Sequence, residues 1–242
     1  MKKEIYLSNY KLENQHWWFM GRRAILNDLL RRTFKKKSNK ILAIGCGTGA
    51  ELNFLSQYGE VTGLDPSKDA VQFCQETSPQ KVILGNAEHL PFKDNHFDAI
   101  ALFDVLEHIK NHEEAIQEVF RVLKKGGLCF ITVPAFSFLW SEADVMLEHH
   151  RRYSKKQLKT PLLKHGFKIK KISYFNFFLF PVVFVIRQIK KLLKPWVGYS
   201  YEVKETPKIL NFLLKNLFAA EKYFLRRINI PFGVSLVCIA QK

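Results

Sequence analysis

Short apolar runs recur along the first part of the chain, and most are followed by a segment with helical spacing. The runs have the length and the Val, Ile and Leu content of strands that are buried on both faces of a parallel sheet. Five of them precede residue 135, at residues 41–44, 60–65, 81–85, 97–103 and 128–133. Strands that alternate with helices predict an α/β fold with a doubly wound parallel sheet.

The helical segments have recognisable ends. A pattern from Arg22 to Phe34 has Ile and Leu residues on one face, and a second helix begins after a plausible N-cap at Ser67. A third is predicted over 113–123, closed by Gly126 and Gly127, and a fourth begins near Ser154. Before the first helix, the aromatic cluster at residues 16–19 predicts either packing on the sheet or a flap over its ligand-binding edge.

A glycine-rich turn follows the first strand and carries the main chemical signal. Gly45, Gly47 and Gly49 allow a tight turn and let the backbone approach a ligand closely. The second strand ends at Asp65, twenty residues after Gly45, a spacing that suits a carboxylate on ribose hydroxyls. The pattern predicts a nucleotide pocket, but Ala50 also completes a relaxed dinucleotide fingerprint. Nicotinamide cofactors, or a turn without a ligand, remain open on this evidence.

Several motifs in order add a family resemblance. They are Ile-Gly-Cys-Gly-Thr-Gly, Gly-Leu-Asp-Pro-Ser, Gly-Asn-Ala-Glu-x-Leu-Pro-Phe, Asp-Val-Leu-Glu-His and Arg-Val-Leu-Lys-x-Gly-Gly, all within residues 40–133. Together they resemble class I S-adenosylmethionine-dependent methyltransferases. The resemblance implies an enzyme with S-adenosyl-L-methionine as cofactor and a seven-stranded Rossmann-like sheet, six strands parallel and one antiparallel. Residues 166–174 and 234–240 then become strands six and seven. A nicotinamide domain is not expected to end in this way, so methyl transfer is preferred.

The resemblance also implies positions for the cofactor. Gly45, Gly47 and Gly49 are expected under its methionine end, and Asp65 is expected on its ribose. Asn86 and Ala87 are expected at the adenine, where many relatives have Asp in place of Asn86. Asp104 is expected beside the methionine amino group.

The connection after strand five leaves the sheet edge where ligands bind. Its Trp-Ser-x-x-Asp and His-x-Arg-Arg-Tyr segments resemble a bacterial methyltransferase subgroup that acts on small molecules or lipids. His149 is the predicted catalytic base, and Arg152 and Tyr153 are predicted on the substrate side. The alternative is a surface role for the arginines and packing for Tyr153. His108 is also a substrate-side candidate, although Glu107 and His108 could instead cap the helix after strand four.

Composition limits the partners and the compartment. The 242 residues are sufficient for one α/β domain, and the formal net charge of +16 predicts an anionic partner. The four cysteines have no metal-ligand spacing, so no metal site is predicted, and Cys129 and Cys238 are interpreted as core thiols. The first residues lack an apolar segment of signal-peptide length, which predicts a cytoplasmic protein.

Residues 176–230 are an unusually long link between strands six and seven. Phe and Leu dominate this insertion, and its basic residues, Lys204 among them, far outnumber its acidic ones. Within it, Arg187, Lys190, Lys191 and Lys194 recur at i, i+3, i+4 and i+7, which predicts a basic side on a helix. Its longest apolar run, at 177–186, is too short to span about 30 Å of hydrocarbon. An apolar face with a basic rim indicates an element that lies in an anionic membrane surface. The alternatives are a buried helical pair or a dimer face.

These observations predict three regions: an N-terminal helical and aromatic flap at 1–39, a cofactor-binding core at 40–175 and 231–242, and the basic insertion. The predicted function is methylation, chiefly of oxygen, on an amphiphilic or lipid-linked small-molecule acceptor at the inner face of the membrane. The alternatives are a tRNA or rRNA methyltransferase, although so many apolar residues make nucleic acid a less suitable partner, and a non-catalytic cofactor-binding module. The oligomeric state is open.

Overall fold

The computed structural model describes residues 12–34, 39–193 and 206–242, without the side chain of Leu193. Seven strands form one sheet. They are β1 (Asn39–Ile44), β2 (Gly59–Asp65), β3 (Lys81–Leu84), β4 (Phe97–Phe103), β5 (Leu123–Pro134), β6 (Lys168–Phe175) and β7 (Ser235–Gln241). Each predicted strand is therefore present, with β5 beginning earlier than its apolar run.

The strand order is β3-β2-β1-β4-β5-β7-β6. β7 lies antiparallel between β5 and β6, and the other neighbouring strands pair in parallel. The chain moves outward from β1 in one direction and from β4 in the other, so a crevice opens between these two strands at their carboxyl ends. The predicted seven-stranded Rossmann-like sheet, with one antiparallel strand, is confirmed.

Helices cover both faces of the sheet. They are α1 (Trp17–Thr33), α2 (Ala50–Leu55), α3 (Lys68–Thr77), α4 (His112–Val122), α5 (Glu142–Met146), α6 (Lys155–Lys164), α7 (Phe180–Leu193) and α8 (Lys208–Leu225). The predicted N-caps are present: the Ser67 side chain accepts a hydrogen bond from the Ala70 amide, and that of Ser154 from the Gln157 amide.

Two predicted helix ends were wrong. α1 begins at Trp17, five residues before the predicted start at Arg22, because the His16 side chain caps it. α4 ends at Val122, and Leu123 is already extended. The glycines that were expected to close this helix lie inside β5, where a Cβ on Gly127 would stand 2.8 Å from the Lys124 carbonyl oxygen. The same Cβ would lie 3.0 Å from the Asp98 carbonyl oxygen of β4, so crowding within the sheet, rather than a helix cap, requires glycine there.

The apolar core has two layers, one on each face of the sheet. Cys129 and Cys238 are buried free thiols within it, as predicted. On one face, α1 packs against α8 so closely that a Cβ on Gly21 would lie 2.5 Å from Cδ1 of Phe218. Phe218 is fully buried and stacks on Phe175 at the end of β6. One helix of the insertion thus contributes to the core.

The carboxyl group of Glu221 fixes the chain as it leaves β6. This buried side chain of α8 accepts hydrogen bonds from the backbone amides of Asn176, Phe177 and Phe178 at 2.5, 2.8 and 3.1 Å. The insertion begins at the carboxyl-end edge of the sheet, because Phe175 pairs with Ser235 and Ser235 with Pro134, the last residue of β5. Within the described residues, no helix is both long and apolar enough to cross a membrane.

Candidate active site

The glycine turn after β1 is held by hydrogen bonds to the end of β2. The Gly45 amide donates to the Leu64 carbonyl at 2.7 Å, and the Gly47 amide donates to the Asp65 carboxylate at 3.1 Å. The other oxygen of Asp65 accepts from the Ser67 amide at 3.0 Å. Gly45 has φ +70°, and a Cβ there would meet Val105 at 2.4 Å, so this turn requires glycine.

Two adjoining cavities open at this edge of the sheet. The outer cleft, about 670 Å³, is lined by Gly45, Gly47, Asp65, Asn86, Ala87 and Asp104, among others. Gly49 does not line it but serves as the N-cap of α2 with φ +93°. Six of the seven predicted cofactor residues therefore surround one cavity. Asn86 is engaged with Glu88, to which its amide nitrogen donates at 2.8 Å.

The second cavity, here the inner chamber, has a volume of about 340 Å³ and shares Gly45, Gly47, Asp104 and His108 with the outer cleft. Trp18, Phe19 and Arg22 of α1 form one wall. The loop after β5 supplies Asp144, His149 and Arg152, and α7 supplies Arg187. A ligand bound across the outer cleft would thus present one end to the adjoining chamber.

Comparison with known protein families identifies the class of enzyme that has this arrangement of glycine turn and carboxylates. A family described as "Methyltransferase domain" matches residues 42–131, the segment that contains the glycine turn, Asp65, Asn86 and Asp104. The chain belongs to the class I S-adenosylmethionine-dependent methyltransferases. Its cofactor is S-adenosylmethionine, and the nicotinamide alternative is not supported.

Three relatives show how far the similarity extends. A Methanocaldococcus jannaschii protein of unknown function is 32% identical over 197 residues, 78% of this chain and 78% of that protein. Another from the same organism is 37% identical over 112 residues, 46% of this chain and 43% of the relative. The demethylmenaquinone methyltransferase of Staphylococcus aureus is 31% identical over 154 residues, 58% of this chain and 61% of that enzyme. In two of the three, the match spans less than two thirds of the relative.

Solved structures agree on the fold. A S-adenosylmethionine-dependent methyltransferase from Archaeoglobus fulgidus has a TM-score of 0.55 and 21% identity, covering 91% of this chain and 94% of that one. One from Mesorhizobium loti has a TM-score of 0.58 and 15% identity, covering 88% and 96%. At these identities the likeness concerns the fold.

The polar groups of the two cavities fit this cofactor. Asp65, oriented by two backbone amides, is suited to ribose hydroxyls. At the boundary of the chamber, Arg22 forms ion pairs with Asp104 and with Glu51, the latter at 2.5 Å. A carboxylate beside a guanidinium matches the ammonium and carboxylate of a methionine moiety.

Sequence reasoning missed Arg22. Its guanidinium is buried, and it lies 4.7 Å from the centre of the Trp18 ring. Burial disfavours its charge, but Glu51 and Asp104 outweigh this effect and raise the pKa of Arg22. The available signal was a charged residue one helical turn before Ile25 and Leu26, on the apolar face of α1.

His149 is held by Asp144, the last residue of the Trp-Ser-x-x-Asp segment, to which the sequence analysis assigned no role. Its Nδ1 lies 2.8 Å from Oδ1 of Asp144, which leaves Nε2 for another partner. Arg152 binds both oxygens of Asp144, from Nε at 2.8 Å and from Nη2 at 3.0 Å. Burial opposes ionisation, but the His149 and Arg152 contacts outweigh it and hold the pKa of Asp144 well below its usual range. The base role of His149 stays a prediction.

Two predicted substrate-side residues have other partners. Arg152 lines the chamber, but Asp144 and the Ala135 carbonyl oxygen engage its guanidinium, so it positions Asp144 rather than offering a free anion site. Tyr153 lines neither cavity. Its buried hydroxyl lies 3.2 Å from the Leu106 carbonyl oxygen and 3.1 Å from Nδ1 of His112, and burial raises its pKa. Packing, the alternative considered above, accounts for Tyr153.

Glu107 and His108 face the chamber and do not cap α4, whose N-cap is Asn111. The His108 ring lies 4.6 Å from the His149 ring, edge to face. Burial, and then the neighbouring His149, lower the pKa of His108 to about 4. Burial, and then the charge of Asp104, raise the pKa of Glu107 well above its usual value.

Arg187 was assigned to the basic side of the insertion, and this was wrong. Its side chain turns into the chamber and donates to the Leu139 carbonyl oxygen. Burial, and then the charge of Arg152, lower its pKa to about 10. The predicted basic residues Lys194 and Lys204 lie outside the described residues.

Proposed function

We propose that this methyltransferase transfers a methyl group to an oxygen of an amphiphilic or lipid-linked small molecule at an anionic membrane surface. The observation that carries the proposal is the exposed apolar face of α7 and α8, close to the inner chamber. The sequence match to a demethylmenaquinone methyltransferase supports a small-molecule acceptor.

The exposed apolar face is large. Most of the large apolar side chains that are exposed in the described residues belong to α7 and α8: Val182, Phe184, Val185, Ile186, Ile189, Leu192, Ile209, Leu210, Phe212, Leu213, Leu217, Tyr223 and Phe224. Ile228 and Phe232 are exposed in the segment after α8. Single exposed apolar residues are ordinary, but this many along two helices indicate a surface that contacts a membrane or another protein.

Charge favours the membrane. Lys190, Lys191, Lys208 and Arg227 are exposed on or beside the same two helices. Near anionic lipid each such charge contributes about 1 kcal/mol, so a few of them suffice to localise the enzyme. An apolar face bordered by lysine and arginine is the composition of an interfacial helix.

The apolar face is connected to the chamber. Phe180 and Phe184 of α7 contact Phe138, in the loop after β5, with ring centres 6.5 and 5.9 Å apart. From the same helix, Arg187 enters the chamber. An acceptor whose apolar part stays in the lipid could therefore place its polar end next to the cofactor.

The cofactor supplies the chemical activation, because its methyl group is carried on a sulfonium. The protein aligns the acceptor oxygen with the methyl carbon and excludes water. His149 activates the acceptor hydroxyl, either by accepting its proton at Nε2 or by holding at Nε2 a species that lowers the pKa of the hydroxyl. Its bond to Asp144 fixes the orientation of the ring for this task.

Vesicle flotation tests the surface assignment. We expect the chain to float with vesicles of phosphatidylglycerol and phosphatidylcholine and not with phosphatidylcholine alone. Ile209→Asp/Leu213→Asp alters two side chains of α8 that are 79% and 57% exposed and should abolish flotation. Leu163→Asp alters a 48% exposed leucine on α6 and should not. Absence of binding by the unaltered chain would refute the membrane proposal.

A transfer assay tests the acceptor class. The chain is incubated with S-adenosylmethionine labelled in the methyl group and with fractionated lipid extract or total RNA. Label in a lipid fraction, lost in His149→Ala, is the expected result. Label in RNA would favour the nucleic-acid alternative. Label in neither, with intact cofactor binding, would favour a non-catalytic module.

A further inference from the structure

We propose that Glu107, His108 and His149 form a binding site for a divalent transition-metal ion in the wall of the inner chamber. Each residue offers one ligand atom, and these atoms lie within 4.8 Å of one another. Two segments supply them: the turn after β4 carries Glu107 and His108, and the loop after β5 carries His149. The site thus exists only in the folded chain.

The environment of Glu107 gives the strongest indication of a metal site. The residue is fully buried, and neither of its carboxylate oxygens has a hydrogen-bond partner among the described residues. Buried carboxyl groups are otherwise hydrogen-bonded, paired with a charge or bound to a metal. The backbone here is fixed, because the His150 amide donates to the Glu107 carbonyl at 2.8 Å. A metal ion bound at this carboxyl group would satisfy both of its oxygens.

His149 is oriented as metal ligands usually are. Its Nδ1 bonds to Asp144 at 2.8 Å. Asp144 is itself held by Arg152 and by the Ser141 amide at 2.7 Å. A hydrogen bond to one ring nitrogen fixes the tautomer and leaves the lone pair of the other nitrogen available. The two rings meet edge to face, so their free nitrogens can converge.

The ligand set indicates the class of metal. Two imidazoles and one carboxylate suit Zn²⁺, Mn²⁺, Fe²⁺ or Co²⁺, whereas Mg²⁺ and Ca²⁺ favour sites made of oxygen atoms. Three protein ligands leave at least one coordination position open. Carboxylates also outnumber arginines in the chamber lining, and Arg22 and Arg152 are already paired with carboxylates.

This inference deepens the proposed function and rests on it for its chemical consequence. An acceptor hydroxyl at the open position would have its pKa lowered by the metal and lose its proton to solvent. The resulting oxygen anion would attack the methyl carbon, forming a carbon–oxygen bond as the carbon–sulfur bond breaks and a neutral thioether leaves. Nε2 of His149 would then be a metal ligand, and it would not accept the proton of the acceptor hydroxyl.

Cobalt binding tests the site without acceptor or cofactor. The full chain, untagged and treated with chelator, is titrated with Co²⁺ while visible d–d absorption is recorded, and with Zn²⁺ in a calorimeter. We expect one ion per chain. Glu107→Gln and His149→Ala should each weaken binding at least tenfold, and the exposed His150→Ala should leave it unchanged. Calorimetry with S-adenosylmethionine verifies that each variant is folded. If Glu107→Gln does not fold, His149→Ala alone tests the site.

The outcomes are distinct. Failure to bind Co²⁺ or Zn²⁺, or binding that Glu107→Gln and His149→Ala leave intact, overturns the metal site. Transfer to lipid by chelator-treated protein at the full rate also overturns it, while the proposed function stands. Metal binding at these residues without any methyl transfer would support the site and count against the proposed function.

Discussion

The guanidinium of Arg22 forms an ion pair with the carboxylate of Asp104 at the boundary between the outer cleft and the inner chamber. One partner is on α1 and the other follows β4, so the pair joins the N-terminal helix to the cofactor edge of the sheet. Asp104 has φ +57°, a conformation that non-glycine residues rarely adopt. Such conformations are concentrated at functional sites, which agrees with a carboxylate held in position for a ligand.

Arg22→Ala should weaken S-adenosylmethionine binding about 10–100-fold, because a hydrogen bond to a charged group is worth about 1.5–3 kcal/mol. Isothermal titration calorimetry gives the affinity directly. Arg23→Ala removes the adjacent arginine, which bonds to Asn14 and lines neither cavity, and should leave the affinity unchanged. Equal effects of the two substitutions would show that Arg22 does not contact the methionine end.

Asp65→Asn should reduce cofactor affinity at least tenfold, because an amide lacks the charge that strengthens two hydrogen bonds to ribose hydroxyls. The comparison is Asp98→Asn, at the opposite edge of the sheet, where Asp98 accepts from Lys124 at 2.7 Å. This second change should affect stability and not cofactor affinity. Retention of full affinity by Asp65→Asn would contradict the ribose assignment.

The parts of the cofactor site that could be predicted from the sequence are those marked by a local pattern of residues. The glycine turn and Asp65 lie on consecutive elements, and the strands that carry them are marked by their own apolar residues. The ion pair between Arg22 and Asp104 joins positions 82 residues apart. Nothing near either residue in the sequence identifies its partner, because that choice depends on how α1 crosses the sheet.

The loop after β5 shows the same limit at shorter range. His149 was predicted from its motif and its position at the cofactor edge. The contact with Asp144 spans only five residues, yet it depends on the short helix α5 and on positive φ at Glu148. Arg187 was assigned to the basic side of the insertion because it shares a helical spacing with lysines, and its place in the chamber lining corrects this assignment.

Asp144→Ala should lower the free energy of unfolding by about 3–5 kcal/mol, because it leaves the buried Arg152 without its counter-charge. Adding Arg152→Met should recover part of this loss, since the uncompensated charge is removed. Chemical denaturation of the three proteins measures both effects. Glu113→Ala disrupts an exposed pair with Lys164 and should cost less than about 1 kcal/mol. A double variant less stable than Asp144→Ala would contradict this account.

Glu221 should make stability depend on pH near neutrality. Burial is the main cause that raises its pKa from 4.5 to about 7, against the opposing backbone hydrogen bonds from 176–178. Between these two values the native chain holds a proton that the unfolded chain has lost, so the Glu221 contribution to the free energy of unfolding falls as the pH rises. In Glu221→Gln this titration is absent. The stability advantage of the unaltered protein over the variant should therefore shrink between pH 5 and pH 7, by up to about 3 kcal/mol.

Urea denaturation at several pH values gives this difference. Glu113→Gln is the control, because the hydrogen bond from Lys164 lowers the pKa of Glu113 below 4.5 and places its titration outside this range. Its stability difference should stay constant from pH 5 to pH 7. If the Glu221→Gln difference is also constant, the carboxyl group is ionised throughout, and the three amide donors outweigh its burial. A difference that grows with pH would have the wrong sign for a raised pKa.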